Sequence, residues 1–194
     1  MHTRLWYCIL AALTALLVLV TAERLTMEEQ PDRTRLEQIA DELRKMARQD
    51  QHAIMVEQDT KDAVIRRNTQ RMKEIIAEIG WPTRSKVGDA SWRAWLLVQH
   101  SDHDLDFQRE CLRMMIEQPA GEVRLKDIAY LDDRTRVYEG RLQLYGTQFY
   151  VDETGTYGPR PIEDPEGLEE RRKQMGMESF SEYRQSLLEL SRKK

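Results

Sequence analysis

Residues 98–110 read VQHSDHDLDFQRE, a stretch that places two histidines and three aspartates within seven positions of an otherwise apolar, helical pattern. Apolar residues recur at three- and four-residue spacing on both sides of it, which is the period of an amphipathic helix. Serine and aspartate are favoured helix N-caps, so we expect Ser101 and Asp102, or Asp104, to cap the helix that follows. His100 would then close the preceding helix. The stretch therefore predicts a junction between two helices.

Amphipathic patterns continue in both directions from this junction. They predict helices over about residues 31–59, 61–79, 89–99, 105–117, 122–138 and 164–176, with a last helix from about 179. A break near Asp50 is an alternative for the first of them. The segment RLQLYGTQFYVDETGTYGPRP instead alternates apolar and polar residues around turn-forming ones, as strands of a hairpin do. The predicted fold is mostly α: a bundle of about six helices with one small β-hairpin or extended segment near residues 142–160.

The first 22 residues differ in kind from the rest. One cation, Arg4, precedes an uncharged apolar run over residues 5–20, which as a helix would measure about 24 Å, short of the roughly 30 Å hydrocarbon core. Small residues at 20–22 then match a signal-peptide cleavage site. We therefore expect residues 1–22 to be a signal peptide, residues 23–30 a tether and residues 31–194 a single helical domain, periplasmic or secreted. The alternative is an uncleaved signal anchor, with residues 5–20 in the membrane.

Composition and motifs argue against several classes of function. The net charge of −4, with acidic and basic residues interleaved, predicts no nucleic-acid partner, because phosphate binding needs a clustered basic surface. Once residues 1–22 are removed, Cys111 is the one remaining cysteine, so we expect no disulfide framework and interpret Cys111 as a small buried hydrophobic residue. The sequence has no Gly-rich phosphate loop, Gly-x-Ser-x-Gly elbow or Cys-x-x-Cys motif, so we expect no cofactor.

The polar side chains of the junction form the first candidate site. On a continuous helix His103, Asp104, Gln108 and Cys111 would each lie within about 80° of His100 around the axis. A metal site built on His100, His103 and Asp104 needs a further ligand, and the sequence holds no second cluster of histidines or cysteines. We therefore expect no metal site. The simpler interpretation is that the aspartates are mainly helix caps.

Asp133 and Arg134 are a second candidate, on the helix predicted for residues 122–138. Neighbouring residues on a helix do not face each other, so the two charges should have different partners. Arg134 could bind an anionic ligand through its fork of donors. Asp133 could orient the imidazole of His100. The alternative for both is a solvated helix flank.

The third candidate is the segment QLYGTQ, residues 143–148. Its glycine, Gly146, predicts a bulge or a close approach of the backbone to another element. The segment is either the lining of a pocket or a structural turn that packs aromatic rings on the helices. As a pocket lining it would contribute hydrogen-bonding groups from Gln143, Tyr145, Thr147 and Gln148.

The motifs Gly80-Trp81-Pro82, Gln99-His100, Asp133-Arg134 and Tyr145-Gly146-Thr147-Gln148 occur in this order between about residues 68 and 183. In this combination the chain resembles a bacterial family catalogued as domain of unknown function number 6624. The resemblance covers most of the chain beyond the N-terminal segment. It implies a fold and its boundaries and implies no particular activity.

The three polar segments together predict an exported domain that binds a small polar or anionic ligand, or a protein, in the cell envelope. The ligand-binding groups would come from Gln99, Asp104, Gln108, Gln143, Tyr145, Thr147 and Gln148. The competing hypothesis is a hydrolase or transferase in which His100 is the general base, Asp133 its orienter and Arg134 or Gln148 the electrophilic stabiliser. That hypothesis requires the side chains of His100 and Asp133 to meet.

Overall fold

The computed structural model describes residues 32–191. The predictions of a signal peptide over residues 1–22 and a tether over residues 23–30 lie outside the described residues. One compact unit begins at Leu36, and the core and sites below belong to it. Among the described residues no helix combines the length and apolar character needed to cross a membrane.

The fold is mostly α with one small antiparallel hairpin, as the sequence predicts. Its helices are α1 (Arg33–Met55), α2 (Lys61–Ile79), α3 (Arg84–Val87), α4 (Ser91–Gln99), α5 (Leu105–Ile116), α6 (Leu125–Tyr138), α7 (Leu168–Gln174) and α8 (Phe180–Ser191). The short helix α3 is not predicted by the sequence pattern, since four residues cannot show an amphipathic period. Short 3-10 turns precede α4 and α7.

Helices α1 and α2 supply much of the core. Their buried residues follow the three- and four-residue spacing of the apolar stripes, for example Ile39, Leu43 and Met46 on α1 and Met72 and Ile75 on α2. The prediction of one helix is confirmed, and the alternative of a break near Asp50 does not hold, because α1 runs without interruption to Met55. The Asp50 side chain is buried and bonded to other side chains, so it does not compete with the helix backbone for hydrogen bonds.

The boundaries of the helices around the junction follow their capping residues. Gly80 ends α2 with a φ of 67°, a conformation that favours glycine, and donates its N–H to Ile76 O. His100 is the C-cap of α4. Asp104 is the N-cap of α5, and its carboxylate accepts from the Phe107 N–H at 3.1 Å, which confirms one of the two expected caps. The junction is therefore a five-residue turn, residues 100–104, between two helices.

The hairpin pairs β1 (Phe149–Val151) with β2 (Tyr157–Pro159), with Tyr150 opposite Gly158. The side chain of Asp152 holds its turn by accepting from the backbone N–H groups of Thr154 and Thr156. Beyond the hairpin, Asp164 accepts from the Gly167 N–H ahead of α7. Ser179 and Glu182 form the predicted capping box of α8, since each side chain accepts from the other's backbone N–H.

Candidate functional site

His100 is held by Asp50, a residue from the far end of α1. The Nδ1 atom of His100 lies 2.5 Å from Asp50 Oδ2, and Asn68 of α2 donates to Asp50 Oδ1 at 3.2 Å. Asp50 and Asn68 are 1% and 2% exposed, whereas 18% of the His100 side chain is exposed. Within residues 32–191 no hydrogen bond reaches the second ring nitrogen of His100. The buried carboxylate therefore fixes one edge of the imidazole and leaves the other edge available.

Next to this pair a hydroxyl contact fastens the junction to α2. The Oγ1 atom of Thr69 lies 2.8 Å from Ser101 Oγ, and Ser101 also donates to Leu97 O. Both side chains are buried, so neither hydroxyl is an accessible nucleophile. Together with Asp50 and Asn68 they form a polar layer that sets the position of His100.

Asp133 does not orient His100, so that part of the enzyme hypothesis is wrong. Its fully buried carboxylate instead accepts from the backbone N–H groups of Leu144, Tyr145 and Thr147 and from the Thr147 hydroxyl, at 2.6 to 3.2 Å. These donors occupy both carboxylate oxygens. The physical reason is that a loop rich in unpaired N–H groups needs a buried acceptor, and Asp133 is that acceptor.

The environment of Asp133 acts on its charge in two opposing ways. Burial raises the pKa of the Asp133 carboxyl above its usual range, and the hydrogen bonds from the loop oppose that rise. Because the donors to the Asp133 carboxylate all come from residues 144–147, we assign Asp133 a structural role.

Arg134 makes a two-pronged ion pair with Asp102 of the junction. Arg134 Nε lies 2.6 Å from Asp102 Oδ1, and Arg134 Nη2 lies 2.5 Å from Oδ2. Despite burial of the carboxyl, which acts in the other direction, the guanidinium holds the pKa of Asp102 below its usual range. The anion bound by Arg134 is therefore a side chain of the same chain. Asp102, expected as a cap, is instead the link between the junction and α6.

Gln108 ties the end of α4 to α5. Its Nε2 lies within 3.3 Å of three acceptors, namely the carbonyl oxygens of Val98 and Gln99 and the carboxylate of Asp102. The Oε1 atoms of Gln108 and Gln99 are both buried without a hydrogen-bond partner. Gln108 is fully buried and Gln99 partly so, which leaves Gln99 as the more accessible of these two predicted ligand groups.

Asp104 pairs with Lys73 of α2, whose Nζ lies 2.6 Å from Asp104 Oδ2. This contact, together with the Phe107 N–H, lowers the pKa of the Asp104 carboxyl against the effect of burial. The carboxylate is therefore already used by a helix cap and a lysine. His103 is exposed. In the described part of the chain no group of three or more His, Cys, Asp or Glu side chains is placed to hold a metal ion.

The loop 143–148 is a structural turn in which the Gln143 and Thr147 side chains already form hydrogen bonds within the fold. The Gln143 side chain is fully buried and bonds to the backbone of Gln148 and Arg160. Thr147 is bound to Asp133. Tyr145 and Gln148 keep partly exposed side chains, and burial raises the pKa of the Tyr145 phenol.

Two arginines of α7 hold the opposite side of this loop. Arg171 Nε donates to Leu144 O at 2.9 Å, and Arg172 Nη1 donates to Tyr145 O at 2.6 Å. The loop thus gives its N–H groups to an anion and its carbonyl groups to two cations. At Gly146, with a φ of 69°, an added Cβ would lie 2.7 Å from the ring of Phe180. This is the close approach that the glycine predicts.

Asp50 and Asn68 are the site residues that the sequence analysis did not identify. The sequence pattern could have identified both residues, because each falls on the apolar stripe of its helix. Asp50 follows Met46 and Ala47 by four and three residues, and Asn68 precedes Met72 by four. A charged or amide side chain on a buried stripe needs a partner in the core. That partner is His100 for Asp50 and Asp50 for Asn68.

The pairing of His100 with Asp50 resembles the general base and the carboxylate that orients it in acid–base active sites. A carboxylate bonded to one ring nitrogen fixes the tautomer and stabilises an imidazolium, so the second nitrogen can accept or donate a proton or hydrogen bond. The other predicted groups do not complete a catalytic set, because Arg134, Gln148 and Asp133 are bonded within the fold.

A family model described as Family of unknown function (DUF6624) matches residues 21–192. No curated protein and no solved structure matches the chain. The match spans most of the chain, and the chain belongs to that family of unknown function.

Proposed function

We propose that this family member binds a small polar or anionic ligand at the free edge of His100 and does so in the cell envelope. The observation that carries the proposal is the 2.5 Å contact between His100 Nδ1 and the buried Asp50 carboxylate. The His100 side chain nevertheless remains 18% exposed. A histidine that only filled the core would have no such exposed edge.

The chemistry of binding follows from the pairing. The Nδ1–H group donates to Asp50, so a neutral His100 offers Nε2 as an acceptor for a ligand N–H or O–H. A protonated His100 offers Nε2–H as a charge-assisted donor to an anion. Asp50 therefore lets one side chain serve both polar and anionic ligands, with no metal or cofactor required.

Export is the second part of the proposal. Its support is the N-terminal sequence, where a cation, an apolar run over residues 5–20 and small residues at 20–22 match a signal peptide. The alternative is anchoring by residues 5–20. Fusion of residues 1–30 to a reporter that is active only outside the cytoplasm tests export. N-terminal sequencing of the exported protein separates the two forms, because cleavage leaves a chain that begins at Glu23.

A second candidate function is that of a hydrolase or transferase in which His100 is the general base and Asp50, in place of Asp133, orients it. The contact between Asp50 and His100 favours it, because a base held by a buried carboxylate is the arrangement that such enzymes use. The structure gives it less support than binding, because Arg134 and Gln148 are already bonded to other groups of the chain.

The binding proposal is tested by thermal-shift measurements with acetate, phosphate, sulfate, Mg²⁺ and Zn²⁺ on wild type, His100→Ala and His103→Ala. His103 is the matched control, since it is an exposed histidine three positions along. We expect an anion to raise the melting temperature of wild type and His103→Ala and to have no effect on His100→Ala. A shift that survives unchanged in His100→Ala removes His100 from the site.

A further inference from the structure

A groove between α2 and α5 is separate from the His100 site, since neither His100 nor Asp50 lines it. It has a volume of about 380 Å³, which lies within the range of small-molecule sites. Its lining comes from the outer faces of the two helices and from the cap of α5.

The floor of the groove is apolar. It is formed by Ile76 of α2 and by Phe107, Cys111 and Met114 of α5. Phe107 and Cys111 belong to the hydrophobic core, whereas Ile76 and Met114 are partly buried and pack against that core. A ligand with an apolar part therefore removes apolar surface from water when it binds here.

The charges around the groove are mostly negative. The residues that line it include one base, Lys73, against three acids, Asp104, Asp106 and Glu110, which gives a net charge of −2. Asp104 is paired with Lys73 at 2.6 Å, and Asp106 is paired with Arg109, which lies outside the lining. When Arg109 is counted with its partner, the net charge is still −1. The groove therefore favours a cation over an anion.

Glu110 is the acid of this lining that has no partner. Its side chain is exposed and forms no hydrogen bond or ion pair with any residue of the described part of the chain. Met114 lies one turn farther along the same face of α5. A carboxylate without a basic partner therefore stands beside the apolar floor.

Lys73 shows how an ammonium group fits this surface. Its Nζ lies 2.6 Å from Asp104 Oδ2 and 5.3 Å from the centroid of the Phe107 ring. The ammonium group is thus bound by a carboxylate while it lies against an aromatic face. Glu110 offers a second carboxylate at the same floor, without a cation of the described chain bound to it.

We infer that this groove binds a small organic monocation, namely an ammonium ion that carries an apolar group. The negative lining selects the sign of the charge, and the unpaired carboxylate of Glu110 matches a single positive charge. The apolar floor accommodates the organic part of the ligand. This site goes beyond the proposed function at His100 and does not depend on it.

The test is NMR titration of the full-length protein with benzylammonium chloride at pH 7, followed at the methyl signal of Met114. Benzyl alcohol has the same ring without the charge, so it tests the need for a cation. Methylammonium chloride has the charge without the ring, so it tests the need for an apolar group.

Three variants test the residues. Glu110→Gln removes the unpaired carboxylate. Its matched control is Glu117→Gln, because Glu117 is an exposed glutamate at the end of the same helix that does not line the groove. Lys73→Gln acts in the opposite direction, because it removes the ammonium group already bound there and frees Asp104. Circular dichroism before titration checks that the variants fold like wild type.

We expect benzylammonium to bind with a Kd on the order of 1 mM. Glu110→Gln should weaken binding about fivefold, as the loss of one exposed ion pair does, and Lys73→Gln should strengthen it by about the same factor. Benzyl alcohol and methylammonium should leave the Met114 signal in place, and Glu117→Gln should bind like wild type. The inference is overturned if benzylammonium does not move the Met114 signal, if benzyl alcohol or methylammonium moves it equally, if the two glutamate variants bind equally well, or if Lys73→Gln does not strengthen binding.

Discussion

Replacement of Asp133 by asparagine should destabilise the loop 143–148 without touching the His100 site. The substitution turns the carboxylate oxygen bonded to the Thr147 N–H and hydroxyl, both at 2.9 Å, into an NH₂ group that faces two donors. Each hydrogen bond to a charged acceptor contributes about 1.5 to 3 kcal/mol. The neutral amide avoids the cost of burying a charge, which offsets part of the loss. We therefore expect the free energy of unfolding to fall by about 3 kcal/mol.

Urea unfolding followed by circular dichroism measures this loss, and Asp132→Asn is the matched control. Asp132 is the adjacent residue and pairs with Arg136 at 2.9 Å along α6. A helix pair of this kind contributes about 0.5 kcal/mol. An Asp133→Asn protein as stable as the control refutes the structural role. A fully folded Asp133→Asn protein whose His100 ring signals differ from wild type restores Asp133 as a partner of the imidazole.

Three further predictions concern stability, pH and reactivity. Gly146→Ala should destabilise the fold by about 2 to 4 kcal/mol more than Gly155→Ala in the same urea assay, because both have positive φ but nothing lies within 4 Å of a Cβ at Gly155. Lys73 lowers the folded pKa of Asp104, so the stability that Lys73→Gln removes should be present at neutral pH and disappear below about pH 4. Burial raises the pKa of the Cys111 thiol, so peptide mass spectrometry should find Cys111 unalkylated by iodoacetamide at pH 8 until urea unfolds the protein.

Much of the fold could be predicted from local sequence signals. The amphipathic period marks the long helices, and Gly80, Asp104 and the Ser179–Glu182 capping box mark ends that the structure confirms. Helix α3 could not be predicted, because its four residues are shorter than the pattern that identifies a helix. The alternative of a break at Asp50 could not be dismissed from the sequence, because the partners that stabilise this buried aspartate lie on other parts of the chain, 18 and 50 residues away.

The candidate site was predicted only in part, because its contacts join residues that are far apart in the sequence. His100 and Arg134 stand out in the sequence, but their partners Asp50 and Asp102 lie 50 and 32 positions away. Local patterns show that a polar group is present on a core-facing stripe. They do not show which of several acids it meets, since that depends on how the helices pack. Asp133 was assigned to His100 on chemical grounds alone, and the loop that follows α6 satisfies it instead.

Ligand binding at His100 requires that Asp50 hold the Nδ1 edge of the ring and leave Nε2 free. This requirement is tested most directly by ¹⁵N NMR of the His100 ring in wild type and Asp50→Asn at neutral pH. We expect a proton on Nδ1 bonded to Asp50 in wild type, and a change in the Nδ1 signal in Asp50→Asn. We also expect a bound anion to shift Nε2 in wild type more than in the variant. A wild-type ring protonated on Nε2 alone, with signals unchanged in Asp50→Asn, would show that Asp50 does not hold the Nδ1 edge.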